Sequence, residues 1–181
     1  RNLTWSADSL GVQPRPANFA DSEQHLTLAK ADIIFAAYGF NESFAGKAGA
    51  EDFRKKLTQY VADLKTKAFN GKTAARIVLV SPIANENIKG VKAADLNNTN
   101  IKLYTAVIQQ VASSQDVGYA NTYSATEAAM TSPGDDLTIN GVHLNARGYE
   151  VFSEALFKQV IGENPPAVNE TLRQAVIEKN K

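Results

Sequence analysis

The sequence predicts an α/β fold built on a parallel sheet with helices on both faces. Three observations carry this. Two apolar runs without alternation, Asp32-Ile33-Ile34-Phe35-Ala36-Ala37-Tyr38 and Ala75-Arg76-Ile77-Val78-Leu79-Val80, predict strands buried on both faces. Each run is stopped by a turn signal, Gly39 after the first and Ser81-Pro82 after the second. Segments of helical periodicity alternate with them, and strands alternating with helices assemble into a covered parallel sheet.

The elements follow in order. Residues 2–6 predict a short strand that opens into a polar loop through Asp8, Gly11, Pro14 and Pro16. Ala20 to Lys30 predicts a weak helix. After the first apolar strand, residues 49–68 predict a helix. There Phe53, Leu57, Tyr60, Val61 and Leu64 recur at helical spacing, with Lys55, Lys56 and Lys65 on the other faces. A polar loop from about Ala84 to Asn100 follows the second strand. Ile101, Tyr104, Ile108 and Val111 then mark another amphipathic helix, and Gly118 to Tyr123 a third, shorter strand. Asn145 is suited to cap a helix that runs to Gly162 and buries Val151, Phe152, Leu156 and Val160. Pro165-Pro166 breaks the chain before a final helix over 167–181. The expected organisation is one domain over 1–162, with 163–181 as a C-terminal helical extension or linker. There is no internal repeat and no low-complexity tract.

Composition narrows the function classes. The 181 residues suffice for one domain with a real core, and 44% hydrophobic with 21% charged is ordinary for a globular chain. Lys+Arg 19 balances Asp+Glu 19, which argues against nucleic acid or an anionic membrane as the main partner. No apolar run approaches the ~20 residues of a spanning helix. With no cysteine and only two histidines, no metal site is expected. No Gly-rich phosphate loop follows a strand, and no cofactor is expected. The chain opens at Arg1 without methionine, and Arg1-Asn2-Leu3-Thr4-Trp5-Ser6 has the character of a fold interior, so the N-terminus is expected to be a cut.

In open α/β sheets, ligands sit beyond the carboxyl ends of the strands. Ala7-Asp8 follows the first predicted strand, Gly39-Phe40-Asn41 the strongest one and Ser81-Pro82-Ile83 the next. His143 arrives in Asn140-Gly141-Val142-His143-Leu144-Asn145, on the turn ahead of the last amphipathic helix. These segments are expected to converge at one end of the sheet. His25 has no accompanying motif and is expected at the surface.

These blocks resemble those of the SGNH hydrolases, also called the GDSL esterase/lipase family, over roughly residues 2–161. The resemblance implies a flavodoxin-like α/β/α sandwich. Gly39 and Asn41 match the family's Gly-x-Asn block. His143 matches the Asp-x-x-His block, with Asn140 where the acid is expected. Ala7, in Trp5-Ser6-Ala7-Asp8, stands where the family has its oxyanion glycine. The Gly-Asp-Ser block with the nucleophile does not occur in the chain and would lie upstream of Arg1, so the first strand is expected to be missing. By this resemblance Asn41, the Ala7 N–H and Gly39 form the oxyanion hole, where a preorganised side-chain donor is worth about 3–4 kcal/mol. His143 is general base and then general acid, and Asn140 is its partner. The match is to exported bacterial members, periplasmic or extracellular; lack of cysteine fits the cytoplasm as well.

Asn140 is the main departure. An amide accepts a hydrogen bond from an imidazole but has no charge to stabilise an imidazolium. In a Ser-His-Asp triad, Asp→Asn costs about ten-thousandfold through the wrong tautomer. Three outcomes stay open: a Ser–His dyad oriented by a backbone carbonyl, Asp135 or Asp136 folding back to serve, or weak or lost activity. Ser6, Ser9, Ser43 and Ser81 lie near strand ends, but none is in a Gly-x-Ser-x-Gly elbow, and turn or capping roles suit them better. Asp8 and Glu42 are placed to line the cleft or hold a loop, with solvation the favoured expectation. The expected function is ester hydrolysis, as an esterase or acylhydrolase acting on a small-molecule or carbohydrate ester, including deacetylation, with this chain alone inactive. The alternative is a non-catalytic binding module on a degenerate scaffold of the same kind. A third reading, a sheet domain that only docks a partner, predicts a large exposed apolar patch, which the polar surface pattern does not advertise.

Overall fold

The computed structural model describes Leu3 and residues 8–179. The predicted strand at 2–6, with Ser6 and Ala7, lies outside the described residues, apart from Leu3, which is in no strand. Among the described residues three strands form one parallel sheet, β1 (Ile33–Ala37), β2 (Arg76–Val80) and β3 (Gly118–Ala120), in that spatial order. Phe35 pairs with Val78, and Leu79 with Tyr119. Helix α1 (Ser22–Leu28) precedes the sheet, closed by a capping box between Asp21 and Gln24.

Two helices cover one face. A 3₁₀ turn over Glu42–Ala45 leads into α2 (Gly46–Lys65), and α3 spans Ala94–Ser114. Their apolar stripes meet Ile34, Ala36, Ile77 and Leu79 in a core that includes Leu57, Val61, Tyr104 and Ile108. Leu57 is 1% exposed and Val61 0%, so each contributes about 1.5–3 kcal/mol by leaving water. On the opposite face, α5 (Ala146–Ile161) lays Phe152, Leu156 and Val160 over Val78, Val80 and Ala120. The α/β/α layering is therefore present, around β2 and β3.

Three sequence expectations are corrected. β1 is not buried on both faces: Ile33 is 48% exposed and Phe35 50%. Its inner face packs on α2 and α3, but α5 lies over β2 and β3, and no described element covers the other face of β1. Among the described residues β1 also pairs on one edge only. The loop predicted to Asn100 ends earlier, because α3 begins at Ala94, whose N–H is taken by Asn87 Oδ1 at 3.1 Å. The third strand stops at Ala120, since Asn121 caps an unforeseen helix, α4 (Thr122–Thr131), by accepting from the Ser124 N–H. The cap at Asn145 and the left-handed end at Gly162 (φ 84°) are as expected. Helix α6 (Glu170–Lys179) is exposed along its length. No described helix is long and apolar enough to cross a membrane.

Candidate active site

The carboxyl end of the sheet holds a cleft of ≈ 230 Å³, lined among others by Asp8, Gly39, Asn41, Pro82, Val142 and Phe152. The chain turns at Gly39 with φ +110°, a region that favours glycine, and a Cβ there would sit 3.0 Å from Ile108 Cδ1. That turn places Asn41 on the cleft wall. Asn41 Nδ2 donates to the Asp8 carbonyl at 2.6 Å. A carboxamide has two N–H donors, so this bond orients the group and leaves one hydrogen for a ligand. The Gly39 N–H is itself engaged by Glu42 Oε2 at 2.8 Å, so Gly39 acts through backbone shape.

Of the two readings for Asp8 and Glu42, the structure shows cleft lining and loop holding rather than solvation. The second oxygen of Glu42 accepts from the Leu10 N–H at 2.6 Å, tying the segment after Asp8 to the turn after β1. Asp8 pairs with Arg15 through both oxygens, at 2.6 and 2.7 Å. This hydrogen bond, foremost, raises the Arg15 pKa further. Tyr38, also on the cleft wall, has its phenol pushed up, chiefly by burial, and stays neutral at ordinary pH.

The histidine loop meets the cleft through Val142, while His143 beside it is exposed and is not part of the lining. Asn140 Oδ1 accepts from the backbone N–H of Val142 at 3.3 Å and of His143 at 3.0 Å. Those two donors fix which end of the amide faces the loop. His143 Nδ1 lies 3.0 Å from the same oxygen. An oxygen can only accept, so Nδ1 is the donor in this contact, and in the neutral ring that tautomer leaves the Nε2 lone pair for a proton. The amide is thus held with its oxygen toward the imidazole. Asp135 is turned away, its side chain 100% exposed and 3.8 Å from Arg147, and the Asp136 carbonyl accepts from Asn145 Nδ2.

The internal serines within the described residues have structural bonds. Ser81, 2% exposed, accepts from the Tyr123 N–H at 2.9 Å; Ser43 donates to the Phe40 carbonyl at 2.6 Å; Ser9 bridges to Val12. His25 is half-buried rather than at the surface, its ring 5.5 Å from that of Phe19. Among the described residues no group of three or more His, Cys, Asp or Glu is placed to hold a metal ion. Sequence reasoning missed the Asn85-Glu86 pair, which is buried beneath the histidine loop. Its one signal was an amide–carboxylate run with no periodicity, just past a Pro-stopped strand.

The profile of the GDSL-like lipase/acylhydrolase family matches residues 3–151. Among solved structures, the chain is similar to a mutant of Axe2, an acetyl-xylooligosaccharide esterase from Geobacillus stearothermophilus. The identity is 19% and the TM-score 0.57, over 74% of this chain and 61% of that one. A catalytic mutant of the same acetylxylan esterase aligns at 16% identity and TM-score 0.57, over 77% and 68%. A protein of Parabacteroides merdae described as a GDSL-like lipase aligns at 15% identity and TM-score 0.59, over 74% and 62%. At these identities the likeness is one of fold. The chain spans about three fifths of the length of the first of these structures (61%). No curated protein matches it.

Proposed function

The chain belongs to the GDSL-like lipase/acylhydrolase family, and from that premise we propose that it carries the histidine and oxyanion side of an ester hydrolase whose serine lies upstream of Arg1. The observation that carries this reading is the Asn140–His143 pair, in which an amide held by two backbone N–H groups sets the imidazole as a base. The exposed Ile33 and Phe35, and the edge of β1 that pairs with no strand among the described residues, support a further strand beside it, where a serine at the strand's carboxyl end would reach the same cleft.

The reaction then runs in two halves. The serine hydroxyl attacks the ester carbonyl as Nε2 of His143 takes its proton. The resulting oxyanion accepts from the free N–H of Asn41 and from the backbone N–H at Ala7. Collapse expels the alcohol, protonated by His143, and leaves an acyl-enzyme that water hydrolyses by the same relay. Asn140 keeps the ring in register throughout. The small cleft and the acetylxylan esterases of like fold support a short acyl group, acetyl on carbohydrate included. In this reading residues 1–162 are the catalytic module, 163–181 are an extension, and the protein is an exported bacterial one.

The test is a fluorophosphonate probe, which labels only an activated serine, applied to the protein with its preceding segment. The expected result is labelling upstream of Arg1, none on the 181-residue chain, and a roughly 10²–10⁴-fold loss of hydrolysis in His143→Ala. A folded, extended protein that resists the probe would make this a binding module on a hydrolase scaffold. His143-dependent hydrolysis by the 181 residues alone would move the nucleophile inside the chain.

A further inference from the structure

Glu86 is the one charged residue among the buried side chains of the described region, at 5% exposure. Among the described residues no cation pairs with its carboxylate; instead it gathers N–H and O–H donors from the histidine loop. The Leu137 N–H lies 2.9 and 3.1 Å from its two oxygens. Oε2 also accepts from the Thr138 N–H at 2.8 Å and from the Thr138 hydroxyl at 2.5 Å. With its proton committed to Glu86, Thr138 Oγ1 accepts from the Gly141 N–H at 2.9 Å. The Gly141 carbonyl in turn receives the Glu86 N–H at 2.8 Å and Asn85 Nδ2 at 2.9 Å. Gly141 lies between Asn140 and His143, with φ +89°, and a Cβ there would meet the Glu86 carbonyl at 2.9 Å. The clamp is itself anchored: Asn97 and Asn98 of α3 hold the Asn85 side chain and backbone.

We propose that Glu86 is a positioning residue for His143. Its acceptor-only carboxylate fixes Leu137 and Thr138, Thr138 fixes Gly141, and Gly141 sets the turn on which Asn140 meets the imidazole. A carboxylate suits the site because three donors converge on it and it has no N–H to turn against them. A glutamine with its oxygen at the Oε2 position would set its NH₂ against the Leu137 N–H, which lies 2.9 Å from Oε1, and so loosen that end of the clamp. The inference rests on the reading of His143 as general base, but its readout needs no hydrolysis.

The experiment is NMR of the ¹⁵N-labelled 181-residue chain, at a concentration where sedimentation shows it monomeric, as wild type, Glu86→Gln and Thr138→Val. The second variant replaces a hydroxyl by a methyl of similar size and serves if the first fails to fold. With two histidines in the chain, a His25→Gln background assigns the ring signals. In the wild type His143 should show a protonated Nδ1 and an unprotonated Nε2. In the variants both tautomers should be populated. Amide exchange at Gly141 should rise at least about tenfold over that at Leu79 in β2. A ring signal unchanged in folded variants would overturn the proposal, as would equal acceleration at Gly141 and Leu79, which marks a global loss of stability. Failure of the probe to label the extended protein would sink the hydrolase reading separately.

Discussion

The side chain that decides the chemistry is Asn140, because it replaces a charge with a dipole. A free asparagine amide beside an imidazole could present either end. Here two backbone N–H groups claim the oxygen, so the ring meets an acceptor. What is given up is charge: a hydrogen bond to an ionised group contributes roughly 1.5–3 kcal/mol against about 0.5–1.5 for a neutral one. In the protein with its preceding segment, Asn140→Asp should therefore keep the tautomer and raise kcat by up to about tenfold, the equivalent of ~1.4 kcal/mol. Asn140→Ala removes the acceptor of all three N–H groups, and its kcat should fall at least about tenfold. Steady-state hydrolysis of a p-nitrophenyl acyl ester measures both. A folded Asn140→Asp with lower kcat than wild type would mean that the amide does more than orient the ring.

At the scale of elements, what was legible was what periodicity or capping writes. Helix α2 is announced by Phe53, Leu57, Val61 and Leu64, and α5 by Asn145 and Gly162 at its ends. Helix α4 was not legible, because beside one apolar anchor, Tyr123 against Ala84 and Ile101, it packs through polar groups. Thr122 donates to the Ser81 carbonyl, Thr126 accepts from the Ala84 N–H, and the Tyr123 N–H caps Ser81 Oγ. Such contacts have no hydrophobic period, and β-branched threonines read as strand. The same blindness hid Glu86 and shortened α3, whose first turns are spent on Asn85. Between α3 and α4, Glu127 accepts from the Tyr123 hydroxyl at 2.7 Å and pairs with Lys102 at 3.0 Å. The tyrosine hydrogen bond, foremost, and then Lys102 hold its carboxyl below the ordinary value of 4.5. A depressed folded value adds stability above the unfolded pKa, and that stability is lost as pH falls through the folded value. Glu127→Gln should therefore lower Tm at pH 7, with the gap to wild type closing on acidification below 4.5. Thermal melts of both proteins from pH 7 to pH 3 check this. A gap of constant size would show that the carboxylate's charge contributes nothing.

For the molecule as a whole, the informative misfit is β1. Its unbroken apolar run correctly predicted a strand but promised two covered faces, and the described residues supply one. The pattern of a strand records every surface it meets, and cannot say which partner meets it. Ile33 and Phe35 stand exposed beside an edge that pairs with no other strand among the described residues, and unpaired N–H and C=O groups at such an edge accept an extended chain. An apolar face next to an open edge is a template for association. The 181-residue chain should therefore self-associate as concentration rises and should bind ANS. Phe35→Lys should reduce both effects by placing a charge on that face. In the protein with its preceding segment the same substitution should have the opposite sense. There it would put an unpaired charge under the added strand or helix and lower Tm, whereas the wild type should be monomeric and ANS-silent. Sedimentation velocity over a concentration series, with ANS fluorescence and thermal melts on both lengths of the chain, separates the cases. Stabilisation by Phe35→Lys in both lengths would mean that the face is solvent-exposed in the whole protein. The serine would then have to come from somewhere other than a strand beside β1.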